Sequence, residues 1–349
     1  MKDEKNNRAI KILIAVIIVL IIGIVLGAVL FVRTAEKNRA AEKEAQPAQQ
    51  TAQADQTQSS QQTAPAEQTQ PSEQQSPAVQ NTRALIMLPE GLEIPLCPGT
   101  RALATGETSP SAATAQNAAA SDHQVRHFSS FTLCYRESYE EAEWAAYKLD
   151  KSELRGEVSR TNDFRPDPMI ATGSATLNDY RGSGYDRGHL APAADFSFSP
   201  NAMSESFYLS NMTPQAPSFN RGIWKELESL VRDWAEQFGR VYVVCGPVLD
   251  SPASSFASIG ADKVAIPRSF YKVILAPVYK DADDASTPDN AAKIIAVGFI
   301  IPNKGCDGSV WDFAVSVDSA EERTGLDFYA LLEDTAENTV ESSYNRANW

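Results

Sequence analysis

Apolar and polar positions divide this chain into stretches of very different character. Residues 12–32 are 21 consecutive uncharged positions dominated by Ile, Val and Leu. At about 1.5 Å rise per residue such a run spans roughly 30 Å, the thickness of a bilayer core. A cleaved leader would have a shorter apolar region and a small-residue cleavage site. Here the run ends in Phe31-Val32-Arg33 without one. The pattern predicts an uncleaved transmembrane anchor after a short cytoplasmic N-terminus, residues 1–11. Lys2, Lys5, Arg8 and Lys11 favour that orientation. Asp3 and Glu4 dilute the signal, as do Arg33, Lys37, Arg39 and Lys43 beyond the span. The expected arrangement is therefore a single-pass membrane protein with its C-terminal part outside the cytoplasm of a bacterial cell.

Residues 33–82 are mostly Gln, Ala, Ser, Thr and Pro. They hold too little apolar surface to offset the entropy of ordering, so the expectation is a disordered tether. Residues 83–120 are mixed. An apolar run at 84–98 reads either as an extra strand of the main domain or as a docking motif, and small polar residues follow it.

From residue 121 to 349 the periodicity changes repeatedly. Residues 128–135 read as a strand, and 142–147 as a strand or short helix. Residues 185–192 are short and mixed. Residues 220–238 have helical spacing, with Ile223, Trp224, Leu227, Leu230, Val231 and Trp234 on one face. Residues 240–249, 269–278 and 293–301 are Val- and Ile-rich strand candidates, and 313–317 is a shorter one. Residues 319–325 read as a short helix closed by Gly325. Long helices do not alternate with every strand. The predicted class is α+β with a mostly antiparallel sheet.

Charge complicates a functional reading. The chain has a formal net charge of −14, and residues 121–349 carry 21 Lys and Arg against 34 Asp and Glu. A protein that grips nucleic acid tightly usually has a basic footprint. Net charge does not describe local layout, however, and a turnover enzyme gains little from tight product binding. The four cysteines, Cys97, Cys134, Cys245 and Cys306, lack the close spacing of a metal motif. Outside the cytoplasm they could pair, with three connectivities open. Cys245 sits in an apolar run and reads as a buried small side chain.

Histidine is the first residue to examine for acid–base chemistry near neutral pH. There are three: His123, His127 and His189. The first two precede the first predicted strand and read as edge or surface residues. Their spacing does not suggest a zinc hydrolase. His189 lies in Gly184-Tyr-Asp-Arg-Gly-His-Leu-Ala-Pro-Ala-Ala-Asp195, where glycines, an Arg and an Asp crowd it into a turn–strand context. A second polar stretch runs from Tyr208 to Gln215 and on to Asn220 and Glu228. Asn220 alone would be a helix cap. Glu228, two turns later on roughly the same face, alone would be a solvated helix charge.

Together these stretches resemble the DNA/RNA non-specific endonuclease family, which has the ββα-metal, or His-Me finger, active site. The Asp-Arg-Gly-His signature stands as Asp186-Arg187-Gly188-His189, followed by Leu-Ala-Pro-Ala-Ala-Asp. Asn-x-x-Pro-Gln stands as Asn211 to Gln215, and Asn-x-Gly-x-Trp-x-x-Leu-Glu as Asn220 to Glu228. The likeness also covers Trp144-Ala-Ala-Tyr147, Val244-Cys-Gly-Pro247, Ile266-Pro with Tyr271-Lys272, and Thr324-Gly-Leu-Asp-Phe328. It runs in order through nearly all of residues 125–335.

The resemblance implies a hydrolase that cuts DNA and RNA without sequence preference. His189 would be the general base and Asn220 the one direct protein ligand of Mg2+, with Mn2+ as an alternative. Glu228 would hold metal-bound water. Arg187 would contact phosphate, and Asp186 and Asn211 would order the site. An upstream Arg, with Arg160 preferred over Arg165, would stabilise the transition-state phosphorane. Relatives are often dimers, so a homodimer is also implied. Two rival readings are an inactive nuclease-fold scaffold at the membrane and a phosphodiesterase on small substrates.

Overall fold

The strand candidates assemble into one seven-stranded antiparallel sheet in a computed structural model of the chain. The structure describes residues 86–96, 122–279, 290–291 and 293–349, all within the unit Ala78–Trp349. The predicted anchor, the tether and Cys97 lie outside the described residues. Among the described residues, no helix is long and apolar enough to cross a membrane.

Nine of the thirteen strands among the described residues form the main sheet and the site ribbon. They are β1 (His123–His127), β2 (Thr132–Arg136), β3 (Glu141–Asp150), β4 (Asp186–His189), β5 (Met212–Gln215), β6 (Arg240–Pro247), β7 (Ser269–Val278), β8 (Lys293–Pro302) and β9 (Ala314–Val315). The large sheet has the order β9-β8-β7-β6-β3-β2-β1, while β4 and β5 form a separate two-stranded ribbon. The longest pairing, β7 with β8, runs in register from Ser269 opposite Pro302 to Val278 opposite Lys293.

The central strands read as continuous apolar runs because both sheet faces are covered. Val241, Val243 and Cys245 join a core with Leu227, Val231 and Trp234. These last three come from the helix that packs on that face. The residues between them, Tyr242 and Val244, join a second core with Val317, Tyr329 and Val340. Side chains alternate across a strand, so a doubly covered sheet needs apolar residues at nearly every position. The α-helices of six or more residues among the described residues are α1 (Pro200–Glu205), α2 (Lys225–Phe238), α3 (Val317–Thr324) and α4 (Asp334–Glu341). α2 covers the first face; α3 and α4 cover the second. Gly325 closes α3 in the left-handed conformation, as its sequence position suggested.

The apolar run near residue 90 belongs to the second layer. Ile86 and Met87 pair antiparallel with Ala291 and Asn290. Leu88 and Leu92 are buried in the core that contains Trp144 and Tyr329. Leu96 forms a bridge to Asp327.

Several predicted elements have different bounds. Residues 128–135 are not one strand. His123–His127 and Thr132–Arg136 pair as a hairpin, and residues 128–131 turn between them. The apolar run continues through the turn because Phe128 and Phe131 stack at 4.3 Å, and Phe131 packs on Phe196. Residues 142–147 lie within the ten-residue strand β3. Asn220 is not the N-cap of the long helix, a place taken by Trp224. The Asn220 φ of −57° and ψ of −44° are helical, and helical turns begin earlier, at Pro217–Phe219. A π-helical segment, Asn220–Trp224, links that turn to α2.

Candidate active site

β4 and β5 pair with Asp186 opposite Gln215, Gly188 opposite Thr213 and His189 opposite Met212. The chain then enters the helical segment leading into α2, completing a strand–strand–helix unit on the first sheet face. Glycine is required at 188 by close packing, since a Cβ there would overlap the Gln215 carboxamide. Asn211 secures the chain beyond His189. Its Oδ1 accepts from the Ala191 N–H at 3.0 Å, and its Nδ2 donates to the carbonyls of Ala191 and Ser206, both at 2.9 Å. The Cys245 thiol donates to the Leu190 carbonyl at 3.0 Å, tying the same stretch to the sheet.

His189 is 7% exposed. Its ring meets Phe207 edge-on at 5.0 Å and Phe164 at 5.8 Å. Its Nε2 is buried and has no hydrogen-bond partner among the described residues. Burial, then the cations Arg160 and Arg187, push its pKa down to about 3, so the imidazole is neutral at physiological pH. Both guanidinium groups lie over the rings that box the imidazole. Arg187 stands 4.1 Å from the Phe164 centroid and Arg160 4.8 Å from that of Phe207. Arg160 also donates to Asn162 at 2.9 Å.

Arg165 is engaged elsewhere. It donates to the Asp163 carboxylate at 2.8 Å and to the Ser204 carbonyl at 3.0 Å, and it stacks on Tyr208 at 3.9 Å. Asp186 receives two hydrogen bonds from Arg221, at 2.8 and 2.6 Å, and one from the Asn220 Nδ2 at 2.9 Å. Burial opposes its ionisation. The Arg221 and Asn220 hydrogen bonds outweigh burial and hold the carboxyl below its ordinary pKa. The bond to Asp186 occupies the nitrogen end of the Asn220 carboxamide, leaving its oxygen as the end that can meet a cation.

Glu228 lies two turns along the same helical stretch and is half-buried. Burial pushes its pKa up to about 7, opposed by Lys272, Arg232 and Arg160 and reinforced by Asp195. Lys272 is fully buried on β7 beneath the site. Its Nζ lies 4.8 Å from the Trp224 ring centroid and has no hydrogen-bond partner among the described residues. Asp195 is also buried, bonded to the Tyr147 hydroxyl at 2.9 Å and to Arg232 at 2.8 Å.

Sequence reasoning did not single out Phe164, Phe207, Asp195 or Lys272 for roles in the site. Lys272 did leave a signal: it is the one charge within the apolar run 270–278. The two phenylalanines left none, since an aromatic residue in a loop ordinarily reads as packing.

The donor set fits a hard divalent cation. Asn220 and Glu228 offer only oxygen, which suits Mg2+ or Mn2+. The raised Glu228 carboxyl is also a group that a nearby cation would return to its ionised form.

The chain is similar to several known proteins. A family model described as DNA/RNA non-specific endonuclease matches residues 109–335. The chain is 34% identical over 221 residues to mouse "Nuclease EXOG, mitochondrial", covering 60% of this chain and 58% of that protein. It is 34% identical over 216 residues to human "Endonuclease G, mitochondrial", covering 59% and 69% respectively. It thus spans less than two thirds of the mouse relative's length. A crystal structure of an EndoG/EndoGI complex, described as showing the mechanism of EndoG inhibition, superposes with a TM-score of 0.52. It shares 31% identity and covers 61% of this chain and 88% of that one. The match extends through more than half of the sequence and includes the whole strand–strand–helix unit, so this chain belongs to the DNA/RNA non-specific endonuclease family.

Proposed function

We propose that this protein is a metal-dependent endonuclease that hydrolyses phosphodiester bonds in DNA and RNA without sequence specificity. The observation that carries this reading is His189: a buried, neutral imidazole with an unpartnered Nε2, set among Arg160, Arg187 and two aromatic rings. A neutral imidazole can accept a proton from an attacking water, and a substrate phosphate bound to Arg160 and Arg187 would offset their share of the downward shift and strengthen it as a base. Burial at this depth is otherwise unfavourable for a polar ring atom without a partner.

In this reading His189 takes the water proton at one ring nitrogen, and Phe164 and Phe207 exclude competing solvent. Arg187 engages a substrate phosphate, and Arg160 faces the charge that builds on the phosphorane. Asp186 orients Asn220 through its Nδ2 and is itself held by Arg221. Asn220 and Glu228 would hold the divalent cation, Asn220 directly and Glu228 through water. When bound, that cation would act as a Lewis acid on the phosphate and stabilise the leaving 3′ oxygen. Contacts confined to phosphate and sugar carry no direct sequence information, consistent with non-specific cleavage. A groove of about 340 Å³ beside Arg187 adds Arg181 and Tyr185, a mix of cation and aromatic surface that suits a single strand.

The test uses the full-length chain and His189→Ala with plasmid DNA and with RNA, in Mg2+ or chelator. Wild type should degrade both polymers in Mg2+, and either the substitution or the chelator should abolish cleavage. Cleavage of a chromogenic diester without cleavage of polymer would favour the small-substrate phosphodiesterase. A folded wild type that cuts neither would favour the binding scaffold. We further propose that residues 12–32 anchor the protein with this domain outside the cytoplasm. The support is their length, their composition and the preceding basic residues. Protease added to spheroplasts should remove the domain, and full protection would overturn that placement.

A further inference from the structure

We infer that this chain carries a second metal site, for Zn2+ or a similar borderline transition metal, formed by His123, Cys134 and Glu143 on the sheet face opposite α2. The inference does not depend on the proposed nuclease activity.

The three ligands come from three adjacent strands. The Cys134 Sγ lies 3.8 Å from the His123 Nδ1, which lies 2.7 Å from the Glu143 Oε1. All three donor atoms fall within 4.8 Å of one another. Zinc takes this mixture of thiolate, imidazole and carboxylate at about 2.0–2.3 Å. Tetrahedral bonds of that length separate ligand atoms by roughly 3.3–3.6 Å, close to the observed sulfur–nitrogen distance. The carboxylate would have to withdraw slightly from the imidazole to admit the ion. Water can take a fourth position on the open side of His123, whose side chain is 15% exposed.

The backbone is shaped for this convergence. Val125 is opposite Cys134, so His123, two residues away on β1, shares its face. Between β2 and β3 the register breaks. Cys134 pairs with Trp144 but Tyr135 pairs with Ala142, leaving Glu143 as the extra residue of a β-bulge. A bulge re-aims a side chain, and here it turns Glu143 toward Cys134 and His123. Two residues hold the bulge. The Tyr271 hydroxyl donates to the Glu143 carbonyl at 3.0 Å. Gly246 lets that carbonyl approach where a Cβ would collide with it. Arg136 lies 3.5 Å from the second Glu143 oxygen and holds it in an ion pair, so the oxygen now on His123 is the one that would turn to the ion. Metal binding would convert the Cys134 thiol to thiolate and release its proton to solvent, and the ring proton that His123 Nδ1 shares with Glu143 would pass to Nε2 so that Nδ1 presents its lone pair to the ion.

The experiment is a Co2+ and Zn2+ titration of the metal-free full chain in detergent, with Cys134→Ser, His123→Ala and Glu143→Gln. Oxygen ligands at the nuclease site give no sulfur-to-cobalt charge-transfer band, so that band reports thiolate alone. Wild type should bind one Co2+ with such a band, and Cys134→Ser should lose it. Zn2+ at about 100 times its Kd should raise the unfolding temperature by roughly 5–10 °C. His123→Ala should abolish the rise and Glu143→Gln should reduce it. Unfolding temperatures without metal identify a misfolded variant, and the half-buried His123 position keeps the test independent of the buried Cys134. Absence of the band in wild type would overturn the site. So would its persistence in Cys134→Ser, or a His123→Ala variant that titrates like wild type; the cluster would then be a hydrogen-bonded His–carboxylate pair.

Discussion

At the scale of single residues, the site holds two titratable groups whose environments move them in opposite directions. Burial and two cations depress His189 to about 3, whereas burial raises Glu228 to about 7. The acid limb of activity should therefore follow Glu228, which must be ionised to help hold the cation. kcat/KM should rise with pH through about 7, and higher Mg2+ should move the midpoint down by favouring the carboxylate. Glu228→Gln should remove that limb and lower the rate about 100-fold. A midpoint unmoved by Mg2+ would argue against Glu228 as a cation-linked group. Stability has its own pH signature. Native Glu228 retains a proton that the unfolded chain loses above its ordinary pKa near 4.5, so its contribution falls as pH rises toward 7. Native His189 stays neutral where the unfolded chain is protonated, so its contribution falls as pH drops from 6.5 toward 3. Metal-free Glu228→Gln should accordingly be more stable than wild type at pH 8, by on the order of 2 kcal/mol in denaturant unfolding. The two upstream arginines should also separate. Arg160→Ala should slow single-turnover cleavage about 100-fold with little change in unfolding temperature. Arg165→Ala should instead cost about 1–2 kcal/mol of stability, because Asp163 and Ser204 lose their partner.

At the scale of elements, the site depends on how the β4–β5 ribbon is seated. Asn211 makes three hydrogen bonds from a fully buried position and contacts backbone on both sides of the loop beyond His189. Asn211→Ala should destabilise the protein by about 2–3 kcal/mol, since buried backbone groups would lose their partners. Urea unfolding measures this, and an unchanged midpoint would show that water replaces the carboxamide. Gly188→Ala should spread the ribbon by driving a methyl into Gln215. Activity should fall with it even though neither residue is assigned a chemical role. The helix was legible from the spacing of Ile223, Leu227, Val231 and Trp234. Its entry was not. Asn220 has the composition of a cap but sits in a π-helical segment with its side chain on Asp186, and a cap preference describes local backbone only.

At the scale of the whole molecule, the sheet separates the proposed nuclease site on one face from a layer that includes residues 86–96 on the other. Leu92 is fully buried among residues such as Trp144 and Tyr329. Leu92→Ala should cost about 2–5 kcal/mol while leaving kcat near wild type, because the cavity would open on the face away from His189. A chain shortened to residue 121 would uncover the part of this face that Leu88 and Leu92 pack on. It should unfold at lower denaturant and expose apolar surface to a hydrophobic dye, whereas a chain beginning before Ile86 should not. Equal stability of the two would show that the second layer contributes little to folding.

Sequence alone determined the class, the principal strands, the helical face and the family, because these are written in local periodicity and contiguous motifs. The runs ending near Pro247, Val278 and Ile301 needed no tertiary information, nor did the grouping of Asp186 to His189 with Asn220 and Glu228 through resemblance. Only the tertiary structure decided which arginine faces His189, how deeply His189 is buried and why Lys272 lies beneath Glu228. Each of these depends on residues far apart in the chain. Arg160 and Arg165 are five positions apart in one polar loop, and their different partners, Phe207 and Ser204, come from another part of the fold. The convergence of His123, Cys134 and Glu143 was hidden for the same reason: strand pairing and a single bulged residue bring together side chains whose sequence spacing matches no metal motif.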